Sequence, residues 1–124
     1  MGAVAIYVEG LVKEGRTGWA FLAPEVGHSD HGWIEGGWDL LGQYRGVLEG
    51  LRWAEKVGYT NVLIHSSDPV FVVQMLDGLG AEQTELQAPW WQVKEVEAYF
   101  QRVVYFTVRA EENLAAGALG RLLN

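Results

Sequence analysis

Three glycines spaced four residues apart, Gly42, Gly46 and Gly50, run beside the apolar stripe of the most regular helical segment in the chain. The stripe is Leu40, Leu41, Tyr44, Val47, Leu48, Leu51, Ala54 and, less regularly, Val57, which recur as one helix face. A glycine inside a helix costs about 1 kcal/mol relative to alanine. Three such costs along one line make sense where the helix backbone lies close against another element, and a sheet is the expected one. Asp39 is placed to cap this helix and Gly58 to end it.

The remaining segments supply the sheet. Ala3 to Glu9 is β-rich and apolar, as expected of a strand covered on both faces. Gly10 to Gly18 reads as a turn or short loop, and Trp19 to Ala23 as a second strand stopped by Pro24. Glu25 to Asp30 reads as a loop and Gly32 to Gly37 as a short third strand, which together make an antiparallel meander. Beyond the glycine-lined helix, Asn61 to Ser66 is a fourth strand. Asp68-Pro69 opens a short apolar helix through Leu76, and Gly78 and Gly80 break the chain. Pro89 is expected to start a helix to about Arg102, with Trp90, Val93, Val96, Glu97 and Phe100 at helical spacing. Val103 to Val108 is a fifth strand and Glu112 to Leu123 a last helix. The order βββαβααβα predicts an α/β domain: a five-stranded mixed sheet with helices on both faces and right-handed crossovers.

With 124 residues the chain fits a single domain, residues 1–124. Nine basic side chains against sixteen acidic ones give a formal charge of −7, and the basic residues are scattered. Nucleic acid is bound largely by neutralising phosphates, so charge disfavours it as a partner. No apolar run approaches the ~18 residues of a membrane span. The opening MGAVAIYVEG has neither a basic region nor a cleavable small-residue site, so no export signal is expected and the cytoplasm is the default. The absence of cysteine excludes disulfides and thiolate metal sites.

Local wording then narrows the fold. "IYVEG" resembles the first-strand motif of the type 1 ribonuclease H family, in which an aspartate precedes the glycine, and "GRTGWAF" resembles the opening of its second strand. "GQYRGVLEGLRWA" is similar to the first-helix motif, where a glutamate precedes the tyrosine. "HSSDPVFVVQMLDG" resembles the fourth strand with its following helix, and "VRAEENLAAGALG" the terminal motif, in which an asparagine is followed by an alanine-aspartate pair. The five segments fall in the family's order along nearly the whole chain. The resemblance implies a ribonuclease H-like fold and, where the site is intact, four carboxylates holding two magnesium ions that cleave the RNA strand of an RNA–DNA hybrid.

Position by position, this chain departs from that set. Glu9 stands at the first aspartate, Gln43 at the helix glutamate, and Gly117 at the last aspartate. Counting forward from Gly58 puts Ser67 at the third position, whereas counting back from Gly78 puts Asp68 there. Asp68 either survives as a ligand or caps the helix that begins at Pro69. At best Glu9 and Asp68 remain for a metal, and the loop after Glu9 lacks the family's asparagine-proline-glycine segment. A degenerate site is the expectation.

Other residues carry alternatives. His28 and His31 flank Asp30, but loop histidines without a third ligand are usually solvated. His65 fits a core histidine. Trp90 and Trp91, about 100° apart on a helix, are either both partly covered or split, one inward and one at a surface as a partner anchor or base-stacking platform. Three functions follow. The first is a non-catalytic binding or assembly module with a protein partner or as a homodimer, needing no cofactor. The second is a weak ribonuclease H using Mg²⁺ or Mn²⁺ on Glu9 and Asp68, aided by an acid such as Glu35 or Asp39. The third is single-strand binding through exposed tryptophan.

Overall fold

The computed structural model describes residues 2–77 and 83–123, so the expected break at Gly78 and Gly80 lies outside the described residues. Five strands, β1 (Ala3–Lys13), β2 (Arg16–Ala23), β3 (His28–Glu35), β4 (Asn61–Ser66) and β5 (Arg102–Thr107), form one sheet in the order β3-β2-β1-β4-β5. The meander pairs antiparallel, whereas β1–β4 and β4–β5 are parallel. Helices α1 (Asp39–Val57), α2 (Pro69–Leu76), α3 (Thr84–Glu97) and α4 (Ala116–Leu123) complete the expected order, with single 3₁₀ turns at Pro24–Val26 and Ala110–Glu112. No helix among the described residues is long and apolar enough to cross a membrane.

The core forms because alternate residues of each strand meet the stripe of α1. Val4, Ile6 and Val8 of β1, Phe21 of β2 and Val62 and Ile64 of β4 are buried with Tyr44, Val47, Leu51 and Ala54. The glycine line is what lets α1 approach. A Cβ on Gly42 would meet the Cα of Gly10 and the carbonyl oxygen of Gly18, each at 2.7 Å. On the opposite face α4 buries Ala118 and Leu119 against Ala20 and Leu11, so helices cover both faces. The C-terminal carbonyls of α2 are satisfied by α3: Trp90 Nε1 donates to Gln74 O at 3.0 Å and Lys94 Nζ to Met75 O at 2.6 Å.

Several boundaries differ from expectation. The loop expected over Gly10 to Gly18 is mostly strand. β1 continues to Lys13, and Glu14 (φ 53°) and Gly15 (φ 75°) make a two-residue hairpin turn with both residues left-handed. Gly10 lies inside β1 because it underlies α1: a Cβ there would stand 2.4 Å from Asp39 O. Asp39 is the first residue of α1 and not its cap. The helix entry is fixed by the buried Thr17, whose Oγ1 accepts from Trp38 N at 3.0 Å and donates to Gly36 O. Pro89 lies within α3, which begins earlier at Thr84 because Leu86 supplies a further buried anchor, and the helix ends at Glu97. The last helix begins at Ala116, four residues later than expected, because Asn113 turns its side chain inward (4% exposed) instead of extending a helix.

Candidate functional site

Val8 and Ser66 are the last residues to pair between the parallel strands β1 and β4. Beyond them β4 turns away while β1 runs on, so Glu9 emerges beside the carboxyl end of the parallel strands, where open α/β sheets form their clefts. The N-terminal part of α1 brings Gln43 to this point, the β4–α2 turn brings Ser66 and Ser67, and the segment before α4 brings Asn113.

These side chains form one hydrogen-bonded network. Glu9 Oε1 accepts from Gln43 Nε2 and from the Gly10 amide, each at 3.1 Å. Glu9 Oε2 accepts from Ser67 Oγ and from Asn113 Nδ2, each at 3.4 Å. Asn113 Nδ2 also donates to Val8 O at 2.8 Å and to Ser67 Oγ at 3.2 Å, and its Oδ1 accepts from Ala115 N at 3.0 Å. On the other side a directed chain runs inward. The Asp68 amide donates to Ser66 Oγ (3.0 Å), Ser66 Oγ donates to Gln43 Oε1 (2.8 Å), and Gln43 then gives its Nε2 hydrogen to Glu9. Gln43 is 2% exposed, so each of these polar atoms needs its partner.

Every donor to Glu9 is neutral. Burial therefore dominates its electrostatics and raises its pKa above its ordinary value; the hydrogen bonds from Gly10, Ser67 and Gln43 work against the rise and the negative charge of Asp68 adds to it. A carboxyl whose folded pKa is raised contributes stability that is fully present below its unfolded pKa and lost as pH rises through its folded pKa. Wild type should thus gain stability over Glu9→Gln as the pH is lowered through the folded pKa toward the ordinary carboxylate range. Urea unfolding of both proteins at a series of pH values measures this, and a difference independent of pH would contradict it.

The expected site residues separate into two groups. Glu9, Gln43 and Ser67 meet. Asp68 does not point at Glu9: its Oδ1 accepts from Val70 N at 3.0 Å and Phe71 N at 3.2 Å, capping α2. Gly117 is exposed on the first turn of α4, and a Cβ there would meet nothing within 4 Å. A cavity of about 260 Å³ lies next to it, lined by Glu9, Gly10, Leu11, Ala116, Leu119 and Gly120. Glu35 closes β3 opposite Arg16 and Asp39 opens α1. His28 and His31 lie in β3, not in a loop, and three residues apart they face opposite sides; His28 stacks on Trp53 at 4.7 Å. His65 lies between Tyr7 and Phe106, ring centroids 4.5 and 5.1 Å away. Trp90 is 6% exposed, while Trp91 stands edge-on to it and is 61% exposed.

Ser66 and Asn113 complete the network without having been picked out in the sequence. Asn113 is the asparagine of the terminal motif, so a signal for it was present; nothing local marks Ser66. The donor set does not fit a divalent hard cation. Magnesium is held by oxygen ligands of high charge, whereas here Gln43 and Asn113 aim N–H groups at the one carboxylate. Glu9 presents about four lone-pair sites, and four hydrogen bonds already approach them. Among the described residues no group of three or more His, Asp or Glu side chains converges.

No family model matches the sequence, and no curated protein does. Solved structures do. The N-terminal RNase H domain of a Mycobacterium tuberculosis protein, solved as a fusion with maltose-binding protein, superposes with a TM-score of 0.83 at 21% identity, over 98% of this chain and 96% of that one. RNase H1 from the halophilic archaeon Halobacterium salinarum gives 0.78 at 17% identity, over 97% and 99%. LC11-RNase H1, isolated from compost by a metagenomic approach, gives 0.80 at 16% identity over the whole of both chains. The chain has the ribonuclease H fold.

Proposed function

We propose that this ribonuclease H fold does not carry out metal-dependent hydrolysis and serves as a binding or assembly domain. The observation that carries the reading is the neutral network around Glu9. Amide and hydroxyl donors surround the carboxylate where a metal site would need further oxygen ligands. The net charge of −7 favours a protein partner or self-association over nucleic acid, and Trp91, 61% exposed and braced against Trp90, is an anchor of the kind that dominates protein interfaces. The competing reading, a weak metal-dependent ribonuclease H, draws on the backbone likeness to LC11-RNase H1, which has also been solved in complex with an RNA/DNA hybrid.

Thermal unfolding in Mg²⁺ or Mn²⁺ tests the reading. A site filled at roughly a hundredfold excess over its Kd would add about 2.7 kcal/mol of stability. The expected result is that either ion shifts wild type no more than it shifts Glu9→Gln. A shift in wild type that Glu9→Gln removes would mean that the site holds metal.

A further inference from the structure

β5 is an outer edge of the sheet. The amides of Arg102 and Val108 donate back to Thr60 O and Ser66 O, so by the alternation of a strand the peptide groups of Val103, Tyr105 and Thr107 point away from β4. The other edge, β3, carries His28, Asp30, His31 and Glu35, polar and charged residues that discourage strand pairing. β5 reads Arg-Val-Val-Tyr-Phe-Thr, a β-prone run with one charge at its start. On the face away from α1, Tyr7, His65 and Phe106 stack as successive rings across β1, β4 and β5, and the outermost ring, Phe106, is 42% exposed.

We propose that β5 pairs antiparallel with β5 of a second copy of this chain, about a two-fold axis at Val104; the proposal rests on the assembly reading above. In this register the outward groups of Val103 meet those of Tyr105 in the second copy, and each such pair exchanges both of its backbone hydrogen bonds. Val104 meets Val104 at the closer, non-hydrogen-bonded spacing. Arg102 lies opposite Phe106 of the second copy, which sets a guanidinium against the ring that ends the aromatic stack. Charge disfavours one alternative, because an axis at Arg102 would set the two guanidinium groups against each other. The contact is small, so the dimer belongs to the weak, concentration-dependent class.

Sedimentation equilibrium over rising concentration tests the pairing with wild type, Val104→Lys, Val104→Glu and an equimolar mixture of the two variants, each checked for its fold by circular dichroism. Wild type is expected to approach twice the monomer mass. Each variant alone should dimerise at least about tenfold more weakly, because like charges then face each other at the axis, and the mixture should recover the dimer. Wild type that stays monomeric throughout would overturn the proposal. So would a Val104→Lys dimer as tight as wild type, which would place self-association on another surface and leave the assembly reading standing. Loss of hydrolysis is read separately, by hybrid cleavage.

Discussion

Gly42→Ala is expected to destabilise the protein by about 2–3 kcal/mol, the upper part of the range for overpacking a tight contact. In an exposed helix the same change would stabilise by about 1 kcal/mol, so the sign alone is decisive. The new methyl group would press on the Gly10 Cα and Gly18 O, both at 2.7 Å and both backbone, so no side-chain rotation relieves it. Gly10→Ala should cost at least as much, since its Cβ would lie 2.4 Å from Asp39 O. Gly117→Ala is the control: the position is helical and open, and a gain of up to about 1 kcal/mol is expected. Chemical denaturation of the three variants measures all of this. A neutral or stabilising Gly42→Ala would mean that α1 does not lie on β1 and β2 as described.

Gln43→Glu is expected to cost about 3–5 kcal/mol at neutral pH, the range for an uncompensated buried charge. Glu9 Oε1 now receives the Gln43 Nε2 hydrogen at 3.1 Å; a second carboxylate there would replace an attraction with a like-charge contact at a buried position. The pH dependence has a definite sign. The folded-state pKa of the carboxyl pair would be raised, so the lost stability should return as pH falls through that raised value toward the ordinary carboxylate range. Two facing carboxylates also create the oxygen-rich site that the native donor set withholds, so Mn²⁺ should recover part of the loss at neutral pH while leaving wild type unchanged. A variant as stable as wild type at neutral pH would show that the donor at position 43 is not what holds Glu9.

The parts of the fold legible in the sequence were those written in local periodicity. The stripe of α1 and its glycine line predict a helix pressed on a sheet, and that contact is where Gly42 and Gly10 lie. The boundaries that misled were those where a residue type serves a long-range contact. Gly10 looks like a loop residue but is a strand residue under α1. Pro89 looks like a helix start but sits inside α3, whose first turn is held by Leu86. Asn113 reads as the second residue of the last helix, yet its amide is spent on Val8 O, Ser67 and Glu9, residues far away along the chain. The same limit applies to the site. The motifs point to Glu9, Gln43 and the Ser67–Asp68 pair and leave Asp68 as ligand or cap; the fold makes it the cap of α2 and adds Ser66, which links Gln43 to the β4–α2 turn.

On the reading proposed above, a carboxylate surrounded by neutral donors does not support metal-dependent hydrolysis. The experiment is incubation of an RNA–DNA hybrid with excess protein in Mg²⁺ and in Mn²⁺, beside a Glu9→Gln control and with the fold of both proteins verified. The expected result is no metal-dependent cleavage by either protein. Cleavage by wild type that requires the ion and disappears in Glu9→Gln would contradict the claim and make Glu9 a working ligand.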